Sequence, residues 1–513
     1  MDEVKYLYGA AVQGIQGFIF QTNKLREIVG ASELVEEICS QKFYELLSGK
    51  KNVDSQTASE ELIKDNNCIL HAAGNIKYIF NNEQECAKIV REFPKAIFEF
   101  APGVTVSQAI VKFDGNDFET AVNELEKRLR TQRNKPMRSA TLGLMGIERC
   151  RQTGMPVVLQ KGDEHYDAGT RAKLFEDRDG KRKRTTKILC KKAFNIPDIK
   201  DDQIAYDIED ITKDNDWIAI IHADGNGLGQ VVQAIGTNET QFKEFSKSLD
   251  EATKAASVEA YKAVKNKFNE DKFIPIRPIV LGGDDFTTIC RADIALDYVT
   301  EFIKQFEVKT KFVSKYEKLK FDNLTACAGI AYIKSSYPFY YGYNLAETLC
   351  SLAKKDAKDK QEIKEGKELP KSCLMFHKVQ DSFTEDWSAI AKRELTPQEN
   401  ISFQFGPYYI NEVKGDKWLV EDLKTKANKL DGKEGNAVKS HLRQWMSLLH
   451  DNPEMAKQKL LRLKSMTTNN KLLNLIKKVT FEYKNKDEQY KSPVYDILAI
   501  HTINNQTTKE VEK

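Results

Sequence analysis

Hydrophobic positions change period in the same order twice along the chain. Residues 6 to 20 (YLYGAAVQGIQGFIF) read as an apolar strand, and residues 30 to 47 carry helical spacing. The segment CILHAAGNIKYIF, 68 to 80, is two short apolar runs about a small-residue turn, which predicts a β-hairpin. A helix over 83 to 98, a strand over 103 to 112 and a helix over 117 to 130 complete the first round. The second begins at WIAIIHADGNGLG, 217 to 229, a strand ending in a glycine-rich turn. A long helix over 239 to 268 follows, with Phe242, Phe245, Leu249, Ala252, Ala256 and Ala260 on its apolar face. Then come the hairpin IVLGGDDFTTIC (279 to 290), a helix over 293 to 312, the strand LTACAGIAYI (324 to 333) and a helix over 344 to 358.

Each round is a βααββαβ-type unit with helices expected on one face of a sheet. The predicted class is therefore α+β, with two tandem ferredoxin-like palm domains able to face each other across a pseudo-twofold. The boundaries drawn from these patterns are 1–130 for the first palm, 131–210 for a linker unit, 211–382 for the second palm and 383–513 for a helical bundle. The linker is rich in Arg, Lys, Asp and Gly and lacks periodicity, so residues 163 to 186 are expected to be mobile. Four helical segments, 416 to 429, 434 to 450, 453 to 465 and 470 to 483, define the bundle. The last ten residues are expected to be disordered.

Composition narrows the class of function. A chain of 513 residues exceeds one core and calls for several units. With 79 basic and 76 acidic residues, net charge makes no global case for a nucleic-acid or membrane partner. The basic run Lys181 to Arg184 reads first as a solvated face. No secretion signal or spanning run of roughly 20 apolar residues is visible, so the expectation is a cytoplasmic protein with no membrane partner. Nine cysteines form no C-x-x-C pair and read as buried, reduced thiols, with Cys150, Cys190 and His165 the sole combination suggesting zinc.

The chemistry concentrates in the second unit. Gly282, Gly283, Asp284 and Asp285 sit at the turn of an apolar hairpin, where adjacent like charges disfavour a purely structural turn. Asp224 ends a buried strand, followed by Gly225, Asn226 and Gly227, which are candidates for nucleotide contact. In a palm sheet this strand neighbours the hairpin, so the three carboxylates can meet around one or two hard cations, Mg²⁺ or Mn²⁺. Such a site suits joining of nucleoside triphosphates. Lys354 and Lys358, four apart on one helix face, are candidates for triphosphate contact. Ser32 and Gly30, placed at the head of the first unit's helix, are candidates for nucleotide contact through a hydroxyl and free amides. In the first unit Ala11 stands near the position of Asp224, and Ala73, Gly74, Asn75 and Ile76 replace the GGDD residues, so that unit should be catalytically silent. No P-loop or G-x-S-x-G elbow is present, and His450-Asp451 reads as a helix-end pair.

These motifs resemble the large polymerase-cyclase subunit of type III CRISPR effector complexes, itself related to GGDEF-type cyclases. The resemblance rests on QGIQGFIF with LREIVGASELVEEI, HADGNGLG with LGGDDF, TACAGIAYI with AETLCSLAKKDAK, and CRQTGMPVV between the palms. It implies synthesis of cyclic oligoadenylate or a related messenger from ATP, with Mg²⁺ or Mn²⁺ on Asp224, Asp284 and Asp285. Gly282 and Gly283 would line the triphosphate site. Guide and target RNA and other effector subunits are the implied partners, and a stand-alone relative is the variant of that reading. The family's N-terminal HD nuclease and zinc cysteines have no counterpart, so RNA-triggered DNA cleavage is not expected. A silent palm scaffold and a GTP-using diguanylate cyclase are the competing functions.

Overall fold

The chain is described from a computed structural model covering residues 4–72, 74–114, 118–135, 146–175, 186–212, 217–235, 239–316, 318–319, 321–359, 369–381, 386–411, 418–481 and 489–505. The basic run at 181 to 184 and the last eight residues lie outside the described residues.

The first unit opens with β1 (Lys5–Gln13), the short α1 (Ile15–Ile19) and α2 (Leu25–Glu37), which runs through a π turn into α3 (Phe43–Ser48). After α4 (Ser55–Lys64) come β2 (Cys68–Ala72), β3 (Asn75–Phe80), α5 (Glu83–Phe100), β4 (Thr105–Phe113) and α6 (Phe118–Arg133). The strand is shorter than the apolar pattern predicts because Gly14 adopts φ 65°, which turns the chain out of the sheet. Sheet order is β2-β3-β1-β4.

In the linker, β5 (Val157–Lys161) and β6 (Glu164–Asp167) form a hairpin, followed by α7 (Ala168–Lys173), α8 (Ile188–Phe194) and α9 (Ile208–Ile211). Within the stretch expected to be mobile, residues 164 to 173 form β6 and α7, for a local reason, while residues 176–185 lie outside the described residues. Asp167 caps α7 by accepting from the amides of Gly169 (2.7 Å) and Thr170 (3.0 Å). Then α8 wedges between the palms. Lys192 pairs with Glu36 at 2.5 Å, while buried Arg277 donates to the Thr186 carbonyl and to Cys190 Sγ.

The second unit repeats the first: β7 (Trp217–Asn226), α10 (Leu228–Ile235), α11 (Glu239–Val264), β8 (Ile276–Gly282), β9 (Asp285–Arg291), α12 (Ala292–Lys309), β10 (Thr325–Lys334) and α13 (Phe339–Asp359). Its strands follow the order β10-β7-β9-β8, the counterpart of the first sheet. The sheet is then widened by β11 (Cys373–Lys378), parallel to β10, and by a short strand near residue 408. The remaining elements are α14 (Trp387–Glu394), β12 (Ile401–Ser402), β13 (Tyr408–Tyr409), α15 (Val420–Asn428), α16 (Gly432–Asp451), α17 (Pro453–Met466), α18 (Asn470–Val479), β14 (Tyr490–Lys491) and α19 (Val494–Asn505).

Helices cover both faces of each sheet rather than one. In β7, Ile218 and Ile220 point into a core shared with α13 and the first palm, whereas Ala219, Ile221 and Ala223 point into one shared with α12. A strand buried on both sides reads as a continuous apolar run, which is why WIAII shows no alternation. Each fully buried isoleucine contributes roughly 1.5–3 kcal/mol relative to exposure. The palms meet reciprocally: α2 of the first packs on β8 of the second, and α11 of the second packs on β2 of the first. These are equivalent elements exchanged, the signature of an internal twofold.

Candidate active site

The β7–β9 ladder ends where chemistry begins. Its last register pair is Asp224 opposite Asp285, and the last pair of the β8–β9 hairpin is Gly282 opposite Asp285. Gly283 takes φ +60°, and the space where a Cβ would stand is open for 4 Å. Thr253 of α11 fixes this turn by donating to the Gly283 carbonyl. A Cβ built at Gly225 would lie 2.9 Å from Cβ of Asp284, so the missing side chain is what lets Asp284 settle against β7.

Lys354 of α13 donates to Asp224 Oδ2 at 2.6 Å and to the Gly225 carbonyl at 2.9 Å. The helix can deliver this amine because it lies directly on β10: a Cβ at Gly329 would come 1.9 Å from the Ala346 carbonyl oxygen. Burial, then the charges of Asp285 and Asp224, hold the Asp284 carboxyl up at about 7, with Lys354 opposing. Asp285 is raised too, first by loss of hydration in the cleft, although part of the residue reaches solvent; nearby His222 pulls it down. The cluster therefore holds more negative charge than Lys354 neutralises.

Not every predicted contact is made. Asn226 is buried, and its amide donates to Thr325 Oγ1 (3.1 Å) and Cys327 Sγ (3.4 Å), bracing β7 to β10. Gly227, at φ +95°, abuts Leu369. Lys358, one turn beyond Lys354, is exposed. Ser32 donates its hydroxyl to the Ile279 carbonyl, and it lies within α2 because that helix starts at Leu25; no free amides accompany it. Gly30 is a packing glycine, its Cβ position lying on the carbonyl oxygen of Lys173 at 1.7 Å. Cys150, Cys190 and His165 do not gather: Cys190 meets Arg277, and His165 lies 2.5 Å from Glu148. Among the described residues no three His, Cys, Asp or Glu side chains are placed to hold a metal ion.

A pocket of about 310 Å³ opens from Asp224 and Asp285 toward the first palm, reaching Ser32 and Glu36. Sequence reasoning missed several of its walls. His222 accepts or donates to Thr287 Oγ1 at 3.1 Å. Gln16 donates to Tyr343 Oη (2.9 Å) and Glu347 (3.2 Å), while Phe20 stacks on Tyr343 at 4.4 Å. The spacing of Tyr343, Glu347 and Lys354, four and seven residues apart, marks one helix face and was available in the sequence. The first palm corresponds with a one-residue shift from the sequence alignment: Ala11 pairs with Asn75 and Ala72 with Asn75, so Asn75 occupies the place of Asp285. It supplies no carboxylate there.

Residues 217–364 match the family model of the Cas10/Cmr2 second palm domain. The second palm is thus similar to that of the Cas10/Cmr2 family. Around this Cas10/Cmr2-type palm, the whole fold is similar to chains solved in Csm1-Csm4 cassettes. The apo cassette aligns at TM-score 0.52 and 14% identity, covering 99% of this chain and 70% of that one. The cassette in complex with cA4 aligns at 0.51 and 14%, and that with one ATP at 0.51 and 15%, each covering 98% and 70%. Across the curated proteins, none has a sequence that matches this chain. Among the described residues no helix is long and apolar enough to cross a membrane.

Proposed function

We propose that the chain is a metal-dependent nucleotidyltransferase that converts ATP into a cyclic oligoadenylate or related messenger, as a subunit of a type III CRISPR effector. The observation that carries this reading is the placement of Asp224, Asp284 and Asp285 on adjoining strand ends of a Cas10/Cmr2-type palm, beside a pocket of about 310 Å³, with the three not yet gathered as a ligand set. The likeness in fold to cassettes solved with ATP and with cA4 supports the choice of substrate and product class.

The donor set fits a hard divalent cation, because three carboxylates facing one lysine leave charge that a cation would cancel and would draw Asp284 back to its ionised form. Bound there, Mg²⁺ or Mn²⁺ would activate a ribose hydroxyl and neutralise the departing pyrophosphate. The chain's own groups do the rest. Lys354 fixes the Asp224 carboxylate and, within reach of Gly225, adds positive charge where phosphate enters. The open space over Gly283 admits phosphate oxygens without meeting a Cβ. Ile15, Ile19, Leu189 and Ile279 give the pocket an apolar wall for a base, and the Gln16–Tyr343–Glu347 bonds lock its floor.

Incubation of the protein with labelled ATP and Mn²⁺, alone and with RNA-loaded effector subunits, should release pyrophosphate and yield oligoadenylates by mass spectrometry. Asp284→Ala with Asp285→Ala should abolish both. No product under any of these conditions, or product persisting in the double variant, overturns the proposal. A scaffold role is the second reading, favoured by one observation: Asp224 is tied to Lys354 and the acids are not gathered as a ligand set. A preference for GTP over ATP would instead support a diguanylate cyclase.

A further inference from the structure

A separate cleft, of about 530 Å³, opens where the end of β11 meets α16 and α19. Its floor is apolar, formed by Tyr495, Leu498 and Ala499 of α19, all buried. Arg443, Ser447 and His450 lie four and three residues apart on α16 and so share one wall. Lys378 stands at the end of β11 with its amine 3.8 Å from the centre of the Trp217 ring, and Lys334 lies over the same ring at 4.9 Å.

The charges here are unevenly matched. Arg443 donates to Thr502 Oγ1 at 2.8 Å, and Lys378 rests on the indole; among the described residues neither has a carboxylate partner. The two carboxylates of the cleft, Asp381 and Glu394, are paired with a third cation on its rim, Arg393, rather than with Lys378 or Arg443. Arg393 lies 3.7 Å from Asp381 and donates to Glu394 at 2.8 Å, and His377 lies 3.6 Å from Glu394. Burial, followed by the charges of Lys334 and Arg443, lowers Lys378 to about 8. Crowded cations lacking a counter-ion produce that direction of shift.

We propose that this cleft binds a phosphate ester the size of a mononucleotide, with phosphate between Lys378 and Arg443 and the planar base on the Tyr495–Leu498–Ala499 floor. An arginine beside a lysine recognises phosphate through paired donors and a point charge. The volume falls within the range of small-molecule sites, and inorganic phosphate alone would leave the apolar floor uncovered. The ester could be a free nucleotide or the terminal phosphate of an oligonucleotide, which share this chemistry.

Calorimetric titration of the full chain with AMP in EDTA tests the assignment. AMP should bind at least tenfold more tightly than adenosine, and Arg443→Gln and Lys378→Gln should each weaken it tenfold or more. Asp285→Asn should leave it unchanged. Arg443 is exposed, so its replacement reads binding rather than folding. A 5′-phosphorylated trinucleotide compared with its unphosphorylated form then separates the two sources: tighter binding than AMP assigns the site to oligonucleotide ends, weaker binding to free nucleotides. AMP no tighter than adenosine, affinity unchanged in Arg443→Gln, or affinity lost in Asp285→Asn overturns the proposal.

Discussion

Replacing Gly329 by alanine should disable a site that the new methyl group never touches. Gly329 lies in β10, opposite His222 of β7, and the added Cβ would sit 1.9 Å from the Ala346 carbonyl oxygen and 2.5 Å from the Cys350 amide nitrogen. Ordinary contact begins near 3.4 Å, so α13 must retreat by about 1.5 Å, being backbone that cannot rotate aside. Lys354 rides on that helix two turns further on, and its 2.6 Å bond to Asp224 does not survive such a shift. Overpacking of this kind costs on the order of 1–3 kcal/mol in stability. Displacement of a positioning group by about 1 Å costs roughly a hundredfold in rate. Gly17→Ala is the control, because nothing lies within 4 Å of its Cβ position. Thermal unfolding and pyrophosphate release would be measured for both variants. A Gly329→Ala protein with the parent's unfolding midpoint and turnover would refute the argument that this close approach sets the lysine.

Further outcomes follow from the same geometry. Lys354→Met should cut turnover at least a hundredfold while Lys358→Met, exposed one turn away, stays within threefold; steady-state kinetics decide. Since Asp284 is held up at about 7 and a cation needs the carboxylate, Mn²⁺ affinity should rise from pH 6 to pH 8 and flatten beyond that, by calorimetry. Asp496 is buried, accepts from Tyr408 Oη at 2.6 Å, and is raised to about 7 chiefly by burial. Its folded value lies above the unfolded one, so the folded state keeps a proton the unfolded chain sheds, and stability falls as pH climbs from about 4 through 7. Asp496→Asn should flatten that decline in unfolding midpoints between pH 5 and 8; parallel curves for parent and variant would contradict it.

What could be read from residues alone was local. The GGDD hairpin announces itself because strand formers flank a turn that glycines permit, and Lys354 is found through its helix spacing. Ser32 and Gly30 were misplaced because the start of α2 is set by Leu25 and the turn before it, a boundary that propensity locates poorly. Residues 373 to 378 carry no period that reveals a parallel partner in β10. Thr253 and Arg277 were beyond reach for another reason: their partners, Gly283 and Thr186, come from distant segments. A lone threonine in a helix, or an arginine in a strand, carries no sign of what it will meet.

The exchange of α2 onto β8 and α11 onto β2 gives the silent half a purpose that needs no chemistry of its own. Each palm is the lid that keeps the other's sheet dry, as two subunits of a dimer would be, but on one covalent chain. A fragment trimmed to the acidic half would lose the cover that α2 lays over β8 and Ile279, so the first palm is needed by its neighbour even though it brings no acids of its own.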